Sequence, residues 1–360
     1  MKNKTIRFSR KLNADFAKEL RSNVNSYFKD NNISIHANFG MKFKTVFMLA
    51  LYLTPFGFIL SGTVENTWVF LGLWLVMAFG MSGIGLSIMH DANHGSYSSN
   101  PKVNKVLGHL VNLVGGNAIN WQLQHNVLHH SFTNIEGYDE DLDSLPILRF
   151  SPNKKQLKIQ RFQFIYAWFF YALLTLSWAT IKEFFQIKRF HSYGLTKSDE
   201  QYKKIMIGLV FWKLFYFGYL LALPILLVPE KTGLIVAGFF LMHFVAGVIL
   251  SSIFQSAHVM PECEFSVPDE NNTVDRNSMV HQLMTTCNFA QKNKALTWFV
   301  GGLNYQVEHH LFPNICHVHY PKIAEIVKET TEKYNIPYYS HKTFAAAVRQ
   351  HGKMLYNLGR

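Results

Sequence analysis

Cysteine and charged residues are what this chain of 360 residues has least of. Its three cysteines, Cys263, Cys287 and Cys316, form no CxxC pair and leave an odd count. A thiolate metal site and a disulfide framework are therefore not expected, and the three read as reduced, buried thiols. Only 16% of residues are charged, against 49% hydrophobic and 15% aromatic. That balance argues against an ordinary globular enzyme and for a polytopic membrane protein with substantial water-facing parts. Acidic residues are scarcer than basic ones, and the net charge is +12. The basic residues form no stripe of the kind that follows nucleic acid, so no such partner is expected. They flank apolar runs instead, as Lys42 and Lys44 do before the first, and Lys182, Lys188 and Arg189 after a later one. Cytoplasmic segments carry this pattern where they meet anionic lipid, and the same face attracts acidic electron-transfer proteins. The first forty residues hold no apolar h-region, so no cleaved signal peptide is expected.

Five stretches are apolar enough to consider as spans: Phe43–Gly62, Trp68–Met89, Phe162–Thr180, Ile205–Val228 and Gly233–Gln255. Each approaches the length that crosses roughly 30 Å of hydrocarbon as a helix. The Val106–Ile119 run is too short and polar to span and reads as interfacial. Histidine clusters follow the second span, the Val106–Ile119 run and the last span. If they share one site, an even number of crossings separates His130 from His258, so one of the three candidates between them does not cross. Phe162–Thr180 is the weakest, being rich in aromatics and bordered on both sides by basic residues (Lys158 and Arg161, then Lys182 and Lys188). The short connections Ser61–Thr67 and Pro229–Thr232 contain only Lys231 between them, as non-cytoplasmic turns should. Four spans in two hairpins follow, with both termini cytoplasmic. Near the N-terminus, Phe16, Leu20, Val24 and Phe28 recur at helical spacing, either on the membrane or packed on a cytoplasmic domain. Ile323, Ile326 and Val327 begin a similar helix after Pro321.

The histidine clusters are His90-Asp-Ala-Asn-His94, His125-Asn-Val-Leu-His129-His130 and Gln306-Val-Glu-His309-His310. His90 and His94 lie at i, i+4 and share one helical face; His125 and His129 repeat that spacing, with His130 turned about 100° away. His258, just past the last span, can reach the same place. Eight converging histidines exceed the three or four protein ligands of a zinc ion and suit two metals. The remaining histidines, His36, His109, His191, His243, His281, His317, His319, His341 and His351, read as ordinary core or surface residues. His243 stands out among them because it sits inside an apolar span.

These residues resemble the membrane-bound fatty acid desaturase family, whose pattern is HxxxH, then HxxxHH or HxxHH, then (H/Q)xxHH, and the match covers most of the chain. Asp91 and Gly95 in the first box, Trp121 and Gln124 before the second, Thr133-Asn134 and the run Asp139-Glu140-Asp141 after it, and Leu311-Phe312-Pro313 after the third also fit. The resemblance implies an all-α integral membrane protein with four transmembrane helices in two hairpins, a cytoplasmic helical cap holding a histidine-ligated di-iron site, and a narrow acyl tunnel. The metal ligands it implies are His90, His94, His125, His129, His130, His258, His309 and His310. Gln306 would be a weak ligand through its amide oxygen, or would hold a water. Asp91, Asn93, Asp139, Asp141 and Glu308 are candidates to orient imidazoles through their other ring nitrogen. Glutamine at the head of the third box looks like the front-end desaturases, which insert a double bond between an existing one and the carboxyl end. No His-Pro-Gly-Gly haem motif is present. Electrons are therefore expected from a separate ferredoxin or cytochrome b5 with its reductase.

The expected activity is O2-dependent desaturation of a lipid-linked or CoA-linked fatty acyl chain in a membrane, with two irons as cofactor and O2 as co-substrate. A hydroxylase on the same scaffold is the near rival, and a non-catalytic metal- or lipid-binding membrane protein the distant one. The expected organisation is one domain over residues 1–360. It has a cytoplasmic N-terminal segment (1–42), a first membrane hairpin (43–89), a region with boxes one and two (90–204), a second hairpin (205–257) and a C-terminal region with box three (258–360).

Overall fold

Two apolar hairpins carry the architecture. The computed structural model describes residues 6–142 and 146–360; positions 1–5 of the N-terminal segment and 143–145 lie outside it. The principal helices are α1 (Ala14–Asp30), α2 (Phe39–Ser61), α3 (Thr67–Asn93), α4 (residues 118–132), α5 (Gln163–Ala172), α6 (Leu174–Ala179) and α7 (Lys182–Ser192). They continue with α8 (Asp199–Leu227), α9 (Pro229–His258), α10 (Ser278–Thr285), α11 (Gln306–Leu311), α12 (Tyr320–Lys333) and α13 (Phe344–Leu358). Among the described residues, α2, α3, α8 and α9 are long and apolar enough to cross a membrane. Lys231 Nζ donates to the carbonyls of Gly62 (2.7 Å) and Val64 (2.9 Å), so the turns of both hairpins meet at one end. The histidine-bearing ends of α3 and α9 lie at the other.

All four spans begin earlier than their apolar stretches, α2 and α8 behind polar caps. Asn38 caps α2 by accepting from the Met41 N–H, and Ser198 caps α8 by accepting from Gln201. Hydropathy does not detect polar caps, nor a first helical turn containing Asp199 and Glu200. Likewise α9 runs through His258, which is its last residue and not a residue beyond it.

The Phe162–Thr180 stretch does not cross. Its helix breaks at Leu173 and again at Thr180, leaving α5 and α6 too short to span. Gly247 of α9 lets this segment approach: a Cβ there would lie 2.4 Å from the Ala172 carbonyl oxygen and 2.7 Å from that of Tyr171. Thr175 Oγ1 donates to the His243 carbonyl at 2.9 Å from the same side.

The N-terminal helix α1 packs on the cap. Phe16, Leu20 and Val24 are fully buried with Ile323 and Val327 of α12, which decides between the two readings of that amphipathic stretch. Each such side chain contributes about 1.5–3 kcal/mol on burial, and Lys333 pairs with Glu19 at the rim. Two parallel two-residue pairings, Arg7–Phe8 with Thr273–Val274 and Asn288–Phe289 with Ser340–His341, tie distant parts of the cap together. The three cysteines are buried and free.

Candidate metal centre

Both helices that carry the first two boxes contain a wide-turn π segment, at Ile84–Ile88 in α3 and Gln122–His129 in α4. Such segments change which side chains share a face, so His125, His129 and His130 do not follow the 3.6-residue geometry that spacing alone suggests. The third box enters on Gly301 and Gly302, both in the left-handed region (φ 63° and 67°). A Cβ on Gly301 would stand 2.6 Å from the Leu86 carbonyl oxygen and the Ser87 Cα, so this turn is pressed against the π segment beneath box one.

All eight histidines meet. His90, His94, His125 and His309 each offer a ring nitrogen to one group; His129, His258 and His310 form a second; His130, His309 and His310 join the two. Within a group these atoms lie within 4.8 Å of one another. His125 Nε2 is 3.1 Å from His90 Nε2 and 3.2 Å from His130 Nε2, and His130 Nε2 is 2.9 Å from His309 Nε2. His94 Nε2, His258 Nε2 and His310 Nε2 are buried with no hydrogen-bond partner among the described residues. Burial, reinforced by neighbouring histidines, pushes His94, His125, His130, His309 and His310 well below the usual imidazole range, so they are neutral. Neutral imidazoles facing one another nitrogen to nitrogen satisfy their lone pairs poorly with protons, whereas cations placed among them accept every lone pair at once. The donor set fits a pair of metal ions with imidazole ligands.

His129 differs from its neighbours. Burial works against its charged form, but the Asp139 and Asp141 carboxylates outweigh that and lift it to about 9. Asp139 Oδ1 lies 3.0 Å from His129 Nδ1, and the same carboxylate accepts the backbone N–H of Asn134 (2.8 Å) and of Asp141 (3.0 Å). That arrangement fixes the ring and leaves its other nitrogen for a metal. Gln306, buried at the head of box three, lies beside His258 and has an unpartnered Nε2.

A cavity of about 540 Å³ reaches Trp121 and His125. Its apolar wall is Leu148, Phe150, Phe170, Tyr171, Leu173, Leu174, Trp178, Ile181, Phe185 and Phe254, and its polar side is Gln124, Glu140, Asp141, Lys182, Gln186 and Arg189. The volume is that of a small-molecule site. Half of the apolar wall comes from the segment that does not cross, so the fold of that segment over α9 helps to build the chamber.

A profile of the fatty acid desaturase family matches residues 66–342. The chain belongs to this family. It is 32% identical to the sn-1 linoleoyl-lipid 6-desaturase of Synechocystis sp. over 99% of this chain and 98% of that protein. It is 35% identical to the protein of the same name from Arthrospira platensis, over 92% of this chain and 89% of that one. It is 33% identical to an acyl-lipid (8-3)-desaturase of Physcomitrium patens, covering 99% of this chain and 74% of that protein. The protein is a fatty acid desaturase.

The desaturase departs from the sequence expectation in its supporting carboxylates and amide. Asp139 contacts a box histidine, and Asp141 stands 3.5 Å from the same His129 nitrogen while accepting from Gln124. Among the described residues, Asp91, Asn93 and Glu308 hydrogen-bond to other partners than the box imidazoles. Asp91 bonds to His317 Nδ1 (2.8 Å) and accepts from Cys316, because one step along α3 turns its side chain about 100° away from His90. Asn93 bonds to Gly108 and Gln122. Glu308 accepts from Asn288 and Tyr338 (both 2.9 Å), and burial, against those bonds, pushes it up to about 7. Sequence reasoning set His317 aside, yet it links Asp91 to Lys44 Nζ, 2.8 Å from its Nε2. The HVH run after the third box was the available signal. His243 is satisfied by the Tyr216 hydroxyl (2.8 Å) and Thr175 Oγ1 (3.0 Å).

Proposed function

We propose that this desaturase is an acyl-lipid enzyme that inserts a cis double bond on the carboxyl side of an existing one, of the delta-6 or delta-5 type. The observation that carries the reading is the convergence of eight histidines, six of them buried, at the end of an apolar chamber. We take His90, His94, His125, His129, His130, His258, His309 and His310 as ligands of two irons, with Gln306 beside His258 as a weak ligand or the holder of a water. Bound iron, reduced by an external donor, would supply the O2 activation that removes two hydrogens. The balance is one CH2–CH2 pair, one O2, two electrons and two protons in, one CH=CH and two waters out.

The residues do the rest. Asp139 holds His129 in one tautomer, and Trp121 packs against His90, His94 and His125. The chamber wall from Leu148 to Phe185, with Phe254, binds and orients the chain and excludes water from the carbons to be oxidised. Reading the bond position from the carboxyl end requires the polar end of the substrate to be anchored, and Gln124, Gln186 and Arg189 stand at the polar side of the chamber. The basic flanks of the spans support a cytoplasmic active site and a separate acidic donor, a ferredoxin or cytochrome b5 with its reductase. We take residues 1–360 as one functional domain, divided as its sequence suggests.

The test is expression of wild type and His129→Ala with a compatible donor, feeding saturated and polyunsaturated acids, and mass spectrometry of derivatised products. A histidine-dependent bond on the carboxyl side of an existing one is expected. Bonds elsewhere would overturn the regiochemistry, and hydroxylated products would move the enzyme to the rival reaction.

A further inference from the structure

A second cavity, of about 630 Å³, lies between the start of α2 and residues 291–298, on the far side of His317 from Asp91. Lys44, Lys292 and Lys294 line it, and among the described residues no carboxylate does. Lys44 is 2% exposed, 2.8 Å from His317 Nε2, with its ammonium over the Trp298 ring at 5.3 Å. Asp91 behind His317 offsets that charge. Lys292 and Lys294 are exposed and form no ion pair among the described residues. The cavity therefore presents a positive field to whatever enters it.

Its position says what enters. Lys44 is in the second turn of a membrane-spanning helix, so the cavity stands at the depth where a bilayer places its headgroups. Around it Phe39, Phe43 and Phe47 are exposed on α2, and Trp298 packs edge-on against Phe47 at 5.5 Å. Aromatics of this kind sit at the membrane–water boundary. A soluble protein partner would meet lipid at these rings, whereas a lipid headgroup brings its own chains to them. We propose that this cavity binds the phosphate of an anionic phospholipid, its acyl chains lying along the aromatic face of α2. The site is separate from the acyl chamber, and its test needs no turnover.

Purified full-length protein is mixed with phosphatidylglycerol or phosphatidylcholine of identical chains, and retained lipid is counted by native mass spectrometry. Wild type is expected to hold one phosphatidylglycerol in preference to phosphatidylcholine. In the Lys292→Gln/Lys294→Gln variant, affinity falls roughly 30-fold, about fivefold for each lysine near a membrane surface. Both positions are exposed, and an unchanged melting temperature verifies folding. Equal retention of the two lipids, or unaltered phosphatidylglycerol binding by the variant, overturns the proposal. So does displacement of the lipid by millimolar inorganic phosphate, which would make the ligand a free anion. If the variant keeps its lipid but loses reduction by an acidic electron donor, the cavity is a protein dock and the proposal fails. A protein that binds lipid as expected but makes no double bond leaves this inference standing and refutes only the catalytic reading.

Discussion

Replacing Asp139 with Asn removes one oxygen and one charge from the most defined contact in the centre. The carboxylate is buried, takes the Nδ1–H of His129 at 3.0 Å, and accepts two backbone N–H groups. A carboxamide has a single acceptor oxygen. If that oxygen faces His129, the new NH2 opposes the Asn134 N–H; if it turns, the NH2 opposes the imidazole. Either way two donors face each other in a buried site. A hydrogen bond to a charged group is worth about 1.5–3 kcal/mol, and supporting carboxylates in metal sites control about 10- to 100-fold in metal affinity; the two figures agree. Anaerobic Fe(II) titration of the purified protein should show that loss in Asp139→Asn, with turnover falling in parallel. Asp141→Asn, where the carboxylate is farther from His129 and 29% exposed, should cost at most about threefold, because solvent screens it. Equal iron affinity in Asp139→Asn and wild type, at unchanged melting temperature, would falsify the assignment of His129 as a ligand held by Asp139.

Three further outcomes follow from other parts of the molecule. Gly301→Ala must accept a left-handed backbone and push against the π segment at Ile84–Ile88; a loss of about 2–5 kcal/mol in stability is expected, with weakened iron loading, and a variant that melts and loads like wild type would disprove the coupling of boxes one and three. Ser251→Phe narrows the acyl chamber; excluding about three methylenes costs roughly 0.8 kcal/mol each, so kcat/KM should shift towards shorter chains by about 50-fold, and an unchanged chain-length profile would place the acyl chain elsewhere. His351 is buried, accepts or donates at Tyr171, and lies 2.9 Å from the Val259 carbonyl. Burial pushes it down to about 4, against the bond to Val259, while the unfolded chain titrates near 6.5. The unfolded state therefore holds the extra proton between those values, and native stability declines as pH falls through that window, by about 2 kcal/mol at pH 5. Thermal melts at pH 7 and pH 5 should show a larger drop for wild type than for His351→Phe.

Four spans and two hairpins were legible because hydrocarbon thickness sets a length that apolar runs either meet or miss, and because one site demands an even number of crossings between its parts. The three boxes were legible from histidines repeated at short fixed spacings, and His258 from its place at the end of the last span, on the side where the boxes had to meet. Three things were not. The roles of Asp91, Asn93 and Glu308 depend on which way each side chain turns, and Asp91 faces away from the centre towards His317. The π segments at Ile84–Ile88 and Gln122–His129 come from packing, since no residue pattern in the boxes announces a wider turn. The chamber exists because Phe162–Thr180 breaks at Leu173 and Thr180 and folds over α9 at Gly247, a choice between crossing and covering that aromatic composition favours but only close packing makes. Local spacing thus determined which histidines could converge, and long-range contact decided where the apolar chamber lies and which carboxylate stands beside His129.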